Sequence, residues 1–104
     1  EVVRETISVR AQMTAILRRL NESGISKFSD LFKPEQGAAY VVVNFIALLE
    51  LAKEGLVRIV QPENYGEIEI SLKDGLETNE AEMLSDGLEI DETDNGYLEK
   101  ENLR

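Results

Sequence analysis

The sequence predicts a small α+β domain followed by an acidic tail, and three observations carry that prediction. Residues 38–54 (AAYVVVNFIALLELAKE) read as a long, very apolar helix that stops at Gly55. Two short alternating segments follow, Leu56 to Gln61 and Glu67 to Leu72, with a turn between them. Two further helical segments and one short extended segment precede the long helix. Three helices covered by a small β-hairpin is the winged-helix arrangement. The boundaries expected from the pattern are 1–72 for this domain and 73–104 for a disordered acidic tail. An α+β layout built from other contacts is the alternative.

The first helix is expected from Val9 to Glu22. Val9, Met13, Ile16, Leu17 and Leu20 fall on one stripe of a 3.6-residue period, with Arg10, Gln12, Thr14, Arg18 and Arg19 on the other side. Thr6 or Ser8 serves as N-cap, and Gly24 ends the helix. Ile25 to Phe28 reads as a short strand or extended link. Ser29 then caps a short helix from Asp30 to Lys33 that buries Leu31 and Phe32. Pro34 suits the first turn of the third helix, where its missing N–H leaves nothing unpaired. That helix is expected from Glu35 to Glu54, with Ala38, Val41, Val42, Phe45, Leu48, Leu49 and Ala52 as its core stripe. Period two from Leu56 to Gln61 and from Glu67 to Leu72 gives the two strands of the wing. In the turn between them, Gly66 is free to take positive φ.

Composition narrows the chemistry. The chain has 104 residues, with no Cys and no His. That removes disulfides, thiolate chemistry, the usual general base and the commonest metal ligand. No apolar run reaches the roughly 20 residues a membrane-spanning helix requires, and no signal peptide is visible, so the sequence reads as cytoplasmic. It begins at Glu1 rather than Met and is expected to be a piece of a longer protein. The net charge is −10 and is unevenly placed. Residues 1–70 carry eight Lys/Arg against ten Asp/Glu, whereas residues 71–104 carry three against eleven. The acidity therefore belongs to the tail. There, Asn79 with Glu82 would cap one turn of helix through Met83 and Leu84, too short to stand alone.

No catalytic constellation, phosphate loop or cofactor motif is present. The tail carboxylates lack a pocket that would tune them and read as a solvated surface. Asp91 to Leu98 echoes a calcium loop, with Asp91 first, Asn95 fifth and Gly96 sixth. Its third position is Thr93, however, and its twelfth is Asn102 where a bidentate Glu is required, so no metal site is expected.

The long helix carries a second apolar stripe, Tyr40, Val43, Ala47 and Leu51, at spacings of zero, three, seven and eleven. In one reading it is simply covered on both sides within the domain. In the other it is a partner-binding face, because contiguous exposed apolar patches mark interfaces. DNA binding is poorly served. From Glu35 to Glu54 there is one base, Lys53, against Glu35, Glu50 and Glu54, and phosphate contacts supply most non-specific DNA affinity. The nucleic-acid-binding winged helix of a transcriptional regulator is therefore the second reading.

Phe28-Ser29-Asp30-Leu31-Phe32, the run from Val42 to Leu51, the strand from Leu56 to Gln61, and Tyr65-Gly66-Glu67-Ile68 together resemble the C-terminal domain of bacterial kleisins of the segregation and condensation protein A (ScpA) family. The resemblance covers residues 7–70. It implies a winged-helix adaptor, not an enzyme, that docks on the ATPase head of an SMC protein in chromosome condensation and segregation. It also implies a ScpB-type partner bound through other parts of the full-length protein, a nucleoid-associated location, no direct nucleic-acid contact and no cofactor. The candidate contacts with the SMC head are Tyr40, Val43, Ala47 and Leu51 with Glu50 on the helix, and Gln61 and Tyr65 from the wing. Phe45 and Leu49 are assigned to the core.

Overall fold

The computed structural model describes residues 4–5, 7–90 and 100–101, with side chains for 7–90. Helix α1 spans Val9–Ser23, after a two-residue strand β1, Arg4–Glu5. It starts where the sequence places it, because the Ser8 hydroxyl accepts the Ala11 N–H at 3.1 Å. It ends at Gly24, whose φ of 78° is open to glycine and whose N–H closes on the Leu20 carbonyl at 2.7 Å. Val9, Met13, Ile16, Leu17 and Leu20 are all buried, as the stripe predicts.

Strand β2 is Ile25–Lys27, and the one-turn helix α2 is Phe28–Leu31. The helix starts earlier than the expected Asp30, with Lys27 and not Ser29 at its cap position. The sheet sets this start. The Phe28 N–H still bonds the Ile68 carbonyl at 2.8 Å, and the Ser29 N–H reaches the Glu67 carboxylate at 3.3 Å. The chain therefore turns straight out of the strand. Pro34–Gln36 then forms a separate 3-10 turn, and helix α3 begins at Ala38 and runs to Lys53. A single helix from Glu35 does not form because Gly37 sits at φ 102°, ψ 154°, outside the helical region.

Strands β3, Val57–Val60, and β4, Glu69–Leu72, form the expected antiparallel wing, with Ile59 opposite Ile70. β2 adds to the other side of β4, so the sheet order is β2-β4-β3. In the wing turn it is Tyr65, not Gly66, that takes positive φ, at 62°. At Gly66 space is tight instead: a Cβ there would lie 3.1 Å from the Glu63 carbonyl oxygen, so the turn would have to give slightly. The core gathers Met13, Leu17 and Leu20 from α1, Val43, Ala47, Leu48 and Leu51 from α3, and Ile70 from the sheet.

The boundary expected at residue 72 does not end the folded part. Helix α4, Thr78–Asp86, packs along α1 and buries Ala81 and Ser85. Reciprocal bonds between Glu77 and Glu80 cap its start. Arg10 holds its end, donating to the carbonyls of Ser85 at 2.7 Å and Asp86 at 3.0 Å, and to that of Leu88. Thr78 reaches Asn21 at 2.9 Å and Arg18 reaches Glu82 at 3.4 Å. Leu76, Leu88 and Ile90 pack on the core from the same segment. The expected single turn through Met83 and Leu84 is thus a helix of nine residues, held by tertiary contacts that local composition does not record. A two-residue strand β5, Lys100–Glu101, pairs antiparallel with β1. The Asp91–Leu98 run, and the expectation that it binds no metal, lie outside the described residues.

Candidate partner-binding surface

Helix α3 has two opposite apolar faces, and the structure assigns them the other way round from the sequence reading. Val43, Ala47 and Leu51, expected to face a partner, are fully buried against the rest of the core. Phe45 and Leu49, expected in the core, are 44% and 48% exposed, and Val42 beside them is 39% exposed. Of the expected core stripe only Leu48 is buried. The cause is a helix apolar almost all round, which offers two nearly equivalent phases. Residue size offered no signal for the correct phase either, since the expected stripe holds Ala38 and Ala52 and the buried one holds Ala47.

The lone polar residue of the helix centre, Asn44, also lies on the inner side and is 3% exposed. Its Nδ2 donates to the Tyr40 carbonyl one turn back, at 3.0 Å, which lets an amide be buried there. Tyr40 is half-buried and lines a cleft of about 280 Å³ with Asn44, Gln12, Arg19 and Lys33. It stands apart from the outward stripe.

That outward stripe is Val42, Phe45 and Leu49, at i, i+3 and i+7. Phe45 is propped from below by an aromatic cluster. Its ring lies 6.5 Å from Phe28, nearly edge-on, and 6.1 Å from Phe32, and the latter two stack at 4.3 Å. These spacings suit attractive ring pairs and hold Phe45 in one place while leaving its outer side in water. α3 packs on β3, whose Ile59 and Val60 are also substantially exposed.

The remaining candidates divide. Glu50 is half-buried and pairs with Lys53 at 3.8 Å. Gln61 is exposed, but its amide donates to the Gly66 carbonyl at 2.9 Å and closes the wing turn. Tyr65 stands fully in solvent at the turn. Lys53, the only base in α3, is thus already paired, which leaves the helix poorly equipped to meet phosphates. Among the described residues no group of three or more His, Cys, Asp or Glu is placed to hold a metal ion. Among the same residues no helix is long and apolar enough to cross a membrane.

Comparison with known proteins gives the family of the chain. The family model described as "Segregation and condensation protein ScpA" matches residues 1–73. This chain belongs to the ScpA family. It is 46% identical over 67 residues to segregation and condensation protein A of Xylella fastidiosa strain 9a5c, covering 64% of this chain and 22% of that protein. With the namesake of Xylella fastidiosa strain Temecula1 it shares 44% identity over 82 residues, 79% of this chain and 27% of that one. With the Bacillus subtilis protein of that name it shares 39% over 71 residues, 67% and 28% respectively. The chain therefore spans about a quarter of the length of these ScpA relatives. The ScpA family match ends just after β4, so α4 lies outside it.

Proposed function

We propose that this domain is the part of a ScpA-type kleisin that docks on the ATPase head of an SMC protein, in a complex that condenses and segregates chromosomes. Its contact is the outward stripe Val42, Phe45 and Leu49, with Tyr65 at the wing as a further contact. The stripe carries this reading: three large apolar side chains on one helix face, one of them braced by Phe28 and Phe32, all left substantially exposed by the described residues. Anchors of this kind supply most of the energy of a protein interface. The role is that of an adaptor with no chemistry of its own. A ScpB-type subunit is bound by other regions of the full-length protein, and the assembly works in the cytoplasm at the nucleoid.

The test is a binding titration of the 104-residue chain against the purified SMC head from the same organism. Phe45→Arg and Leu49→Arg each remove an anchor and put a charge on the face. Each is expected to weaken binding about 100-fold, the scale of a hot-spot loss of about 2–3 kcal/mol. Circular dichroism should stay native. Wild-type affinity in both folded variants would remove this face from consideration. No binding by the unmodified chain at micromolar concentration would end the docking assignment.

A further inference from the structure

Among the described residues Tyr65 alone, glycines aside, takes a positive φ, at 62°, and its side chain stands wholly in solvent. The turn that holds it is firmly closed. The Gly66 N–H bonds the Glu63 carbonyl at 2.9 Å, which makes a four-residue turn with Tyr65 in third place. The Gln61 amide donates to the Gly66 carbonyl at 2.9 Å and ties this turn to the end of β3. With positive φ, the third place of a turn suits glycine or asparagine. Both are present as neighbours, Asn64 before and Gly66 after, yet the bulky residue occupies the left-handed position. A residue with a Cβ is disfavoured there. Tyr65 offsets none of that cost within the fold, because its ring packs on nothing. Backbone strain held in place by its surroundings is a mark of sites that act on something else.

Charge indicates what the ring meets. Glu63, Glu67 and Glu69 line one shallow cleft at this turn, together with Pro62 and Gly66. From Ile59 to Leu72 there is no Lys or Arg. Arg58, the nearest base before the turn, is drawn to Asp74 at 3.3 Å. The wing tip is therefore an aromatic ring beside three carboxylates. Such a tip repels phosphates and anionic lipid and attracts cationic side chains.

We propose that Tyr65 is a preorganised anchor for an apolar slot rimmed by Lys or Arg on a protein partner, with the wing carboxylates facing that rim. This rests on the docking reading above, in which the partner is the SMC head, and specifies how the wing engages it. The closed turn fixes the ring before contact, so little freedom is lost on binding. Aromatic anchors of this kind carry much of an interface's energy, and charges around them set rate and choice of partner. A second copy of this chain is the weaker occupant, because it brings together two net charges of −10.

Three variants of the 104-residue chain, each melted and titrated against the SMC head, test this. Tyr65→Gly relieves the left-handed strain and removes only a ring in water. Its melting temperature should be unchanged or up to about 4 °C higher. Its affinity for the head should fall about tenfold. Tyr65→Phe keeps the ring and should bind within about threefold of wild type. Glu63→Lys should weaken binding about fivefold at low salt, and the deficit should shrink below about twofold at roughly 0.5 M salt. Wild-type affinity in Tyr65→Gly overturns the anchor and leaves docking through α3 standing. A lower melting temperature in Tyr65→Gly also overturns it, because the ring would then serve the fold. Equal or tighter binding by Glu63→Lys at low salt overturns the basic rim, and the proposal with it. Self-association of the free chain that Tyr65→Gly abolishes assigns the ring to a second copy and overturns the proposal. If the wild-type chain never binds the head, the docking reading itself has failed and the anchor falls with it.

Discussion

Leu49 and Leu51 are the same residue type, two positions apart on one helix, and they lie in different environments. Leu51 is fully enclosed by the core, while Leu49 stands about half in water on the opposite side of α3. Nothing in the local sequence distinguishes them, because α3 is apolar on both faces. What differs is the neighbour: α1 covers one side, and no described element covers the other. The contrast teaches that surplus apolar surface on a small domain is visible only once the phase of the helix is known. Helix α1 shows the complementary case. Its seam with α3 is apolar, whereas its seam with α4 is made of small residues and polar clamps.

The most direct way to break the comparison is to truncate the buried leucine. Leu51→Ala leaves a cavity in a core that cannot fully collapse and should cost about 3 kcal/mol. For a domain of this size that corresponds to a fall of roughly 12–24 °C in melting temperature. Urea titration and a thermal melt both read it. A loss below about 1 kcal/mol would mean that the inner face is not the inner face.

The polar seam is sharpened by Arg10→Ala. That change removes a guanidinium bonded to three carbonyls at the end of α4. The site is part-buried and screened by solvent, so the expected cost is about 1–2 kcal/mol. Limited proteolysis should then cut between residues 73 and 90 well before it cuts α1. Equal protection of α4 in both proteins would show that Ala81 and the flanking leucines hold it without the clamp.

Leu49→Ala completes the matched pair. With half its surface already in water, it should cost under about 1 kcal/mol of stability. The same variant should lose affinity for the SMC head, measured by the same titration that tests the arginine variants. The main loss is thus of stability at position 51 and of binding at position 49. A large melting shift at 49 would assign that residue to the core after all.

Much of the fold was legible in the sequence. Ser8, the α1 stripe and Gly24 act locally, and the structure realises each as the pattern predicts. The alternation of the wing strands likewise survives as a register with Ile59 opposite Ile70. Failures came wherever a distant partner decides. Gly37 breaks the third helix because its backbone takes an extended, left-sided conformation, which a helical period cannot reveal. α4 packs on α1 and is clamped at its end by Arg10, far away in sequence. The exposed apolar stripe of α3 lies half a turn away from the one expected, since periodicity gives a stripe and its opposite with equal weight when both are apolar. Of the seven candidates, Tyr65 stands free in solvent, Glu50 and Gln61 engage neighbours, Tyr40 lines a separate cleft, and the other three are core.

The smallest expected effect runs the other way in sign. Ser85 is fully buried between α4 and α1, and its hydroxyl has no hydrogen-bond partner among the described residues. A buried hydroxyl without a partner opposes folding, and alanine keeps the small volume that lets the two helices approach. Ser85→Ala should therefore stabilise the domain by about 0.5–1 kcal/mol, a rise of a few degrees in melting temperature. The measurement separates two accounts of the α1–α4 seam. If small size alone matters at position 85, the alanine variant melts higher and α4 becomes harder to cleave. If it melts lower, the hydroxyl makes a bond through an ordered water, and the seam is held by one more polar contact than its geometry displays.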